Sequence, residues 1–294
     1  MAFLQLIIEL GDQNPEPVED ALFAAGALSV TLEDAEDNPI LEPAPGALPL
    51  WPTVNVKALF SDAMLSHDII QSLQSQLGTP LPAHRFEHLA DRPWEREWLK
   101  DFHAMQFGQR LWICPDGQRP ADPNAVIVDL DPGLAFGTGT HPTTAMCLEW
   151  LDQHPPSAQR VIDYGCGSGI LAIAAIKLGA QQAHGVDIDP QALLASRDNA
   201  ERNGVSAALT LSLEDRDLQP AKIVIANILA GPLETLAPRL AELTEPNGQI
   251  VLSGVLTEQA STVQNRYAAW FAMDPITTQG DWARLSGKKL PLTK

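Results

Sequence analysis

From Val126 to the C-terminus, short apolar runs alternate with amphipathic stretches of helical period. This rhythm limits the fold more than any other feature of the chain. The runs "AVIVDLD", "RVIDYG", "AHGVDID", "ALTLSLED", "KIVIANIL" and "GQIVLSGVL" read as strands, and most of the segments between them read as helices. Repeated strand–helix units need a parallel sheet with helices on both faces, since each crossover lays its apolar stripe on the sheet. The last two runs, "FAMDPITTQGD" and "WARLSGKKL", have no helix between them and read as an antiparallel pair capping one edge. Residues 121–294 are therefore expected to form an α/β, Rossmann-like domain.

The first 90 residues have a different rhythm. "FLQLIIEL", "ALSVTLED", "TVNVKALF" and "HRFEHLAD" read as strands, with helices in "NPEPVEDALFAAG" and "MLSHDIIQSLQSQLG". Strand, helix, strand, repeated once, is the split βαβ order of a small α+β ferredoxin-like domain, expected over 1–92. Residues 93–120 are expected to be a linker that includes a helix. Trp94 and Trp98 stand four apart on one face of it, as a docking surface between domains, and its end is rich in Pro, Asp and Gly. His67, His84 and His88 read as surface or core-edge residues rather than ligands.

A hydrophobic content of 45% and a mean hydropathy of -0.06 suit a soluble globular chain with a core. The N-terminal "MAFLQLIIEL" is too short to span a bilayer and lacks the basic flank of a signal peptide, so no membrane segment is expected. Cys114, Cys147 and Cys166 lie far apart with no CxxC pair, which fits buried thiols in a reducing compartment and no metal site. Cytoplasm is the expected location. The net charge of -18 is uneven: residues 1–92 hold 14 Asp and Glu against three Lys and Arg. Such a surface repels nucleic acid and anionic membrane and attracts basic partners.

The stretch "VIDYGCGSGILAIAA", Val161 to Ala175, opens a ligand site. Gly165 and Gly167 fit a nucleotide-binding turn, but the third position of G-x-G-x-x-G is Ile170, which argues against a dinucleotide. No Lys follows in P-loop spacing, so a phosphoryl donor is excluded more firmly. Asp187, ending the next strand, can accept both hydroxyls of a ribose. Asp189, before Pro190, reads as a helix N-cap. Asp163 lies where a ligand ammonium could approach. An adenosine bearing an amino-acid tail satisfies Asp163, the glycines and Asp187 together, and that ligand is S-adenosylmethionine.

Other strand ends should add to the same crevice. In "IVIANILAGPL" a buried strand ends at Asn227, whose side-chain carbonyl can accept from an incoming amine, or else serves as a local cap. Glu214 and Asp215 read as a solvated loop. "DPGLAFGTGTHPTT", Asp131 to Thr144, reads as a lid, with Phe136 covering the ligand and Thr143 or Thr144 capping the following helix. His141, with no partnered acid in view, reads as structural.

In order along the chain, "DPGLAFGTGTHPTT", "VIDYGCGSGILAIAA", "GVDIDPQAL" and "ANILAGPL" resemble the ribosomal protein L-eleven methyltransferase family (PrmA), and the resemblance extends to "WEREWLKDFHAMQFGQRLWICP". It implies a seven-stranded catalytic domain, a flexible linker and a small N-terminal domain that recognises a basic ribosomal protein of the large subunit, free or on the ribosome. It implies trimethylation of lysine side chains and an α-amine. Its cofactor positions carry over to Thr144, Gly165, Asp187 and Asn227. A glutamine N-methyltransferase is the alternative, but that class shows Asn-Pro-Pro-aromatic where this chain has Asn227-Ile228-Leu229-Ala230; a small-molecule N-methyltransferase is the other. A nicotinamide oxidoreductase lacks its third glycine here, and a non-catalytic binder would leave Asn227 and the lid without a task.

Overall fold

Alternate apolar residues make Phe3–Gly11 a strand (β1) that turns Leu4, Leu6, Ile8 and Leu10 into a core. The computed structural model describes residues 3–36, 38, 40, 49–89, 103–115, 117–130 and 139–291. The chain divides into two units, Met1–Glu97 and Trp98–Lys294. In the first, β1 is followed by α1 (Glu16–Ala24), β2 (Ser29–Asp34), β3 (Val54–Ser61), α2 (Ser66–Leu77) and β4 (His84–Leu89). The sheet order is β2-β3-β1-β4 and every pairing is antiparallel. Val54, Val56, Ala58 and Phe60 of β3 share a core with the β1 leucines, closed by Val18 and Leu22 of α1 and by Ile69 and Leu73 of α2. Burying each of these large side chains contributes about 1.5–3 kcal/mol.

The second unit begins with β5 (Met105–Phe107), β6 (Leu111–Cys114) and β7 (Val126–Asp129), which form a three-stranded sheet of their own. This corrects two expectations. The stretch 105–114, read as linker, is a hairpin of the second unit, and β7 pairs with β6 instead of entering the large sheet. The cause is the four-residue run "LWIC", of which Leu111, Ile113 and Cys114 are fully buried. It offers β7 an apolar edge before the large sheet begins. The helix expected around Trp94 and Trp98 lies outside the described residues.

The chain then runs α3 (Pro142–Gln153), β8 (Arg160–Tyr164), α4 (Ile170–Lys177), β9 (Gln182–Val186), α5 (Pro190–Arg202), β10 (Leu209–Ser212), β11 (Ala221–Asn227), α6 (Ala230–Leu243), β12 (Thr244–Leu256), α7 (Ala260–Tyr267), β13 (Phe271–Met273), β14 (Thr277–Gln279) and β15 (Trp282–Lys289). The large sheet has the order β10-β9-β8-β11-β12-β15-β13 with β14 also on β15. It has eight strands where seven were expected, because β13 and β14 pair with opposite ends of β15. Pro275, which has no N–H for the ladder, stands between them.

The strands β10, β9, β8, β11 and β12 run parallel, and β15 is antiparallel to β12. Val161, Ile223, Ile225 and Val251 pack with α3 and α4, while Ile162, Val224, Ala226, Ile250 and Leu252 pack with α6 and α7. Both faces are covered, so these strands read as unbroken apolar runs. From β8 the chain moves outward through β9 to β10, then returns to place β11 on the other side of β8. The reversal leaves a crevice at the carboxyl ends of β8 and β11, which is where open α/β sheets bind ligands.

Candidate functional site at the strand reversal

β8 delivers Asp163 and then the glycine turn to this crevice. Gly165, Gly167 and Gly169 all have positive φ. At Gly165 (φ +79°) a Cβ would collide with the Cγ2 of Ile228, the residue after Asn227, so the turn approaches the end of β11 as closely as its backbone allows. Gly169 begins α4, and a Cβ there would lie 2.8 Å from Ser196 Oγ.

Asp163 is 1% exposed. Its Oδ2 accepts from Ala172 N–H in the first turn of α4 at 3.0 Å, while its Oδ1 has no hydrogen-bond partner among the described residues. Burial, with the nearby Asp187 carboxylate adding to it, pushes its pKa up from 3.8 to about 7, against the Ala172 bond, which lowers it. An unpaired buried oxygen beside a second carboxylate is a costly arrangement that a cationic group would relieve.

Asp187 follows β9. Its Oδ2 accepts from Gly167 N–H at 2.8 Å and its Oδ1 from Asp189 N–H at 3.0 Å. Both oxygens are thus fixed by backbone and keep further lone pairs for a ligand diol. Asp189 caps α5 as expected, accepting from Gln191 N–H at 2.8 Å. Ile188 between them is 93% exposed, and Leu213, beyond the end of β10, is 48% exposed. Both are large apolar side chains next to the strand ends.

Asn227 ends β11. Its Nδ2 donates to Thr144 Oγ1 at 3.1 Å, which leaves Oδ1 as the accepting end, with no partner among the described residues. Thr144 lies in the first turn of α3 and is buried. The cap of α3 differs from expectation. His141, rather than Thr143 or Thr144, is the N-cap, its Nδ1 lying 3.4 Å from Thr143 N and 2.7 Å from Thr143 Oγ1. Pro142 takes the first helical position, so the capping position falls on the residue before it. His141 also meets Trp282 edge-on at 4.7 Å, and burial lowers its pKa, so it acts as a neutral structural ring. Of the expected site residues, Thr144, Asp163, Gly165, Gly167, Asp187 and Asn227 stand around the ends of β8, β9 and β11. Phe136 lies outside the described residues.

Some supporting residues have no counterpart in the motif reading. One face of α5 presents Ser196, Asn199 and Asn203 at helical spacing. Ser196 Oγ donates to Gly167 O at 2.8 Å, Asn199 Nδ2 to Ser168 O at 3.0 Å, and Asn203 Nδ2 to Asp129 O at 2.6 Å. A polar stripe on the buried side of a helix is the available signal; Ser196 and Asn199 hold the glycine turn in shape, and Asn203, the C-cap of α5, holds the end of β7. Asp215 was read as part of a solvated loop. Instead it accepts from Tyr164 Oη at 3.2 Å and from Arg239 Nε at 2.9 Å, and Arg239 also donates to its backbone oxygen. The hydrogen bond to Asp215 chiefly raises the Arg239 pKa. Among the described residues no cluster of three or more His, Cys, Asp and Glu could hold a metal ion.

The family described as ribosomal protein L11 methyltransferase (PrmA) matches residues 2–290. The chain belongs to this family. It is 52% identical over 293 residues to the ribosomal protein L11 methyltransferase of Actinobacillus pleuropneumoniae serotype 5b (strain L20), covering 98% of this chain and all of that one. It is 50% identical over 293 residues to that of Escherichia coli (strain SMS-3-5 / SECEC), with the same coverage. A crystal structure of the ribosomal protein L11 methylase from Lactobacillus delbrueckii subsp. bulgaricus aligns with a TM-score of 0.60 and 32% identity, covering 64% of this chain and 100% of that chain. PrmA membership accounts for the α/β methyltransferase fold.

Proposed function

We propose that this chain transfers methyl groups from S-adenosylmethionine to amines of ribosomal protein L11. The observation that carries this reading is the pairing, at one strand reversal, of a buried Asp163 carboxylate oxygen with no partner among the described residues and an Asn227 amide whose NH2 is engaged by Thr144, leaving its oxygen as the accepting end. The first suits the cationic tail of the donor and the second an amine. The described residues fit the donor: Asp187 for the ribose hydroxyls, Gly165 and Gly167 for close backbone approach, and Thr144 and Asn227 where α3 meets the end of β11. When bound, S-adenosylmethionine supplies a methyl group already activated on a sulfonium.

What remains for the protein is to present a neutral amine in line with that methyl. A lysine near pKa 10.4 is about a thousandfold depleted in free amine at neutral pH, and desolvation in the crevice lowers that pKa. Asn227 Oδ1 accepts one N–H and orients the nitrogen. A single acceptor leaves the amine free to shed its other N–H groups, which suits repeated transfer to lysine side chains and an α-amine up to trimethylation. The first unit, with its βαββαβ order, is a ferredoxin-like substrate-recognition domain whose negative charge captures the basic L11. Among the described residues no helix is long and apolar enough to cross a membrane.

The test is incubation of the protein with methyl-labelled donor and a hypomethylated ribosomal extract. Label confined to the L11 band supports the reading. Label in another protein, with L11 unlabelled, overturns it.

A further inference from the structure

Ser253 lies in β12 directly beside Asn227, its in-register partner on the neighbouring parallel strand, and it has no exposed surface. It makes two connections that meet at the same place. Its backbone oxygen accepts from Ile228 N–H at 3.1 Å, which fixes the residue immediately after Asn227. Its Oγ donates to Thr143 O at 3.0 Å, which fixes the residue immediately before Thr144. The hydroxyl also lies 3.4 Å from Ala283 O on β15, a second and longer acceptor. The next residue, Gly254, has φ +81° and leaves no room for a Cβ against the Ile228 backbone, so β12 presses on the Asn227–Ile228 corner at this point.

We propose that Ser253 is a positioning residue for methyl transfer: it ties together the two sides of the Asn227–Thr144 hydrogen bond and thereby sets where the Asn227 amide oxygen points. It touches neither donor nor amine and acts only through Asn227. The proposal rests on the reading of Asn227 as the residue that orients the amine.

A double-mutant cycle tests it, with turnover and donor Kd measured for the full chain, Ser253→Ala, Asn227→Ala and the double variant, at a temperature where all are folded. Misplacing an acceptor by a fraction of an ångström is expected to lower kcat roughly tenfold while donor Kd stays within about twofold. In the Asn227→Ala background, Ser253→Ala is expected to cost nothing more, because the group it positions is gone. Ser253→Cys keeps the volume and a weaker donor, so it is expected to fall between serine and alanine. It is read in the same cycle if the alanine variant does not fold. A full multiplicative loss in the double variant, or a donor Kd that rises in step with the loss of kcat, overturns the proposal alone. Unchanged turnover in Asn227→Ala overturns the reading of Asn227 and this proposal with it.

Discussion

Replacing Asp163 by asparagine should change how the protein's stability depends on pH, in a direction that follows from the site. The folded-state pKa of Asp163 is raised from 3.8 to about 7 by burial and by Asp187. A carboxyl raised in this way favours the folded state while protonated. That contribution is fully present below the unfolded pKa and is lost as pH climbs through the folded one. At 1.36 kcal/mol per unit, the wild-type chain loses about 4 kcal/mol across that window, of which about 2–3 falls between pH 5 and pH 8. Asparagine cannot titrate. Its amide oxygen can still accept from Ala172 N–H, while its NH2 takes the place of Oδ1, which has no hydrogen-bond partner among the described residues. A buried NH2 left without an acceptor costs about 1–3 kcal/mol, and that cost is the same at every pH, so the slope rather than the offset is diagnostic. Urea unfolding of both proteins without donor, at half-unit steps from pH 5 to pH 8, gives the difference directly. The gap should shift by about 2–3 kcal/mol in favour of the Asp163→Asn variant as pH rises. Saturating donor should shrink that shift, because a bound cation stabilises the carboxylate. A gap that stays flat over the range would refute the argument, since Asp163 would then have a charge partner that keeps it ionised.

Asp187→Ala should weaken donor binding by about 2–4 kcal/mol, as two charge-assisted hydrogen bonds to a diol are lost, with unchanged calorimetric affinity as the contrary outcome. Ser196→Ala removes the donor to Gly167 O and should cost about 1 kcal/mol in thermal unfolding, together with a measurable rise in donor Kd. If stability falls with donor affinity unaltered, the α5 stripe serves the fold and not the glycine turn. Deleting residues 1–97 should leave donor binding nearly intact and abolish methylation of L11. Raised salt should weaken L11 capture by the full chain but not donor binding, since exposed charges are screened within roughly 8 Å at physiological ionic strength. A truncated protein that methylates L11 as well as the full chain would place recognition in the second unit.

The parts of this fold that were legible in the sequence are those with long periodic signals. The β8–α4–β9–α5 run, the Asp189 cap and the position of Asn227 at a strand end all follow from apolar spacing and from the residues that flank it. The parts that were not legible depend on partners distant in sequence. β6 is only four residues long and sits in a Pro- and Gly-rich stretch, so nothing local marks it as the strand that draws β7 away from the large sheet. Asp215 looks like any charged loop residue until Arg239 folds over it from α6. Ser253 is one hydroxyl inside "IVLSGVL", and only the register of β12 against β11 sets it beside Asn227. The His141 cap was legible in principle, because Pro142 marks the first helical position, but the threonines beside it offered a more familiar capping side chain.

The claim that this site methylates amines of L11 is tested most directly by intact-mass spectrometry of purified unmethylated L11 after incubation with the protein and S-adenosylmethionine. Two substrates are needed, one with free amines and one with every amine acetylated beforehand. The account predicts a ladder of added methyl masses on the free-amine substrate, none on the acetylated one, and a ladder that advances far more slowly with Asn227→Ala at saturating donor. Methyl groups appearing on the acetylated substrate, or none appearing on either while the donor binds tightly, would contradict it.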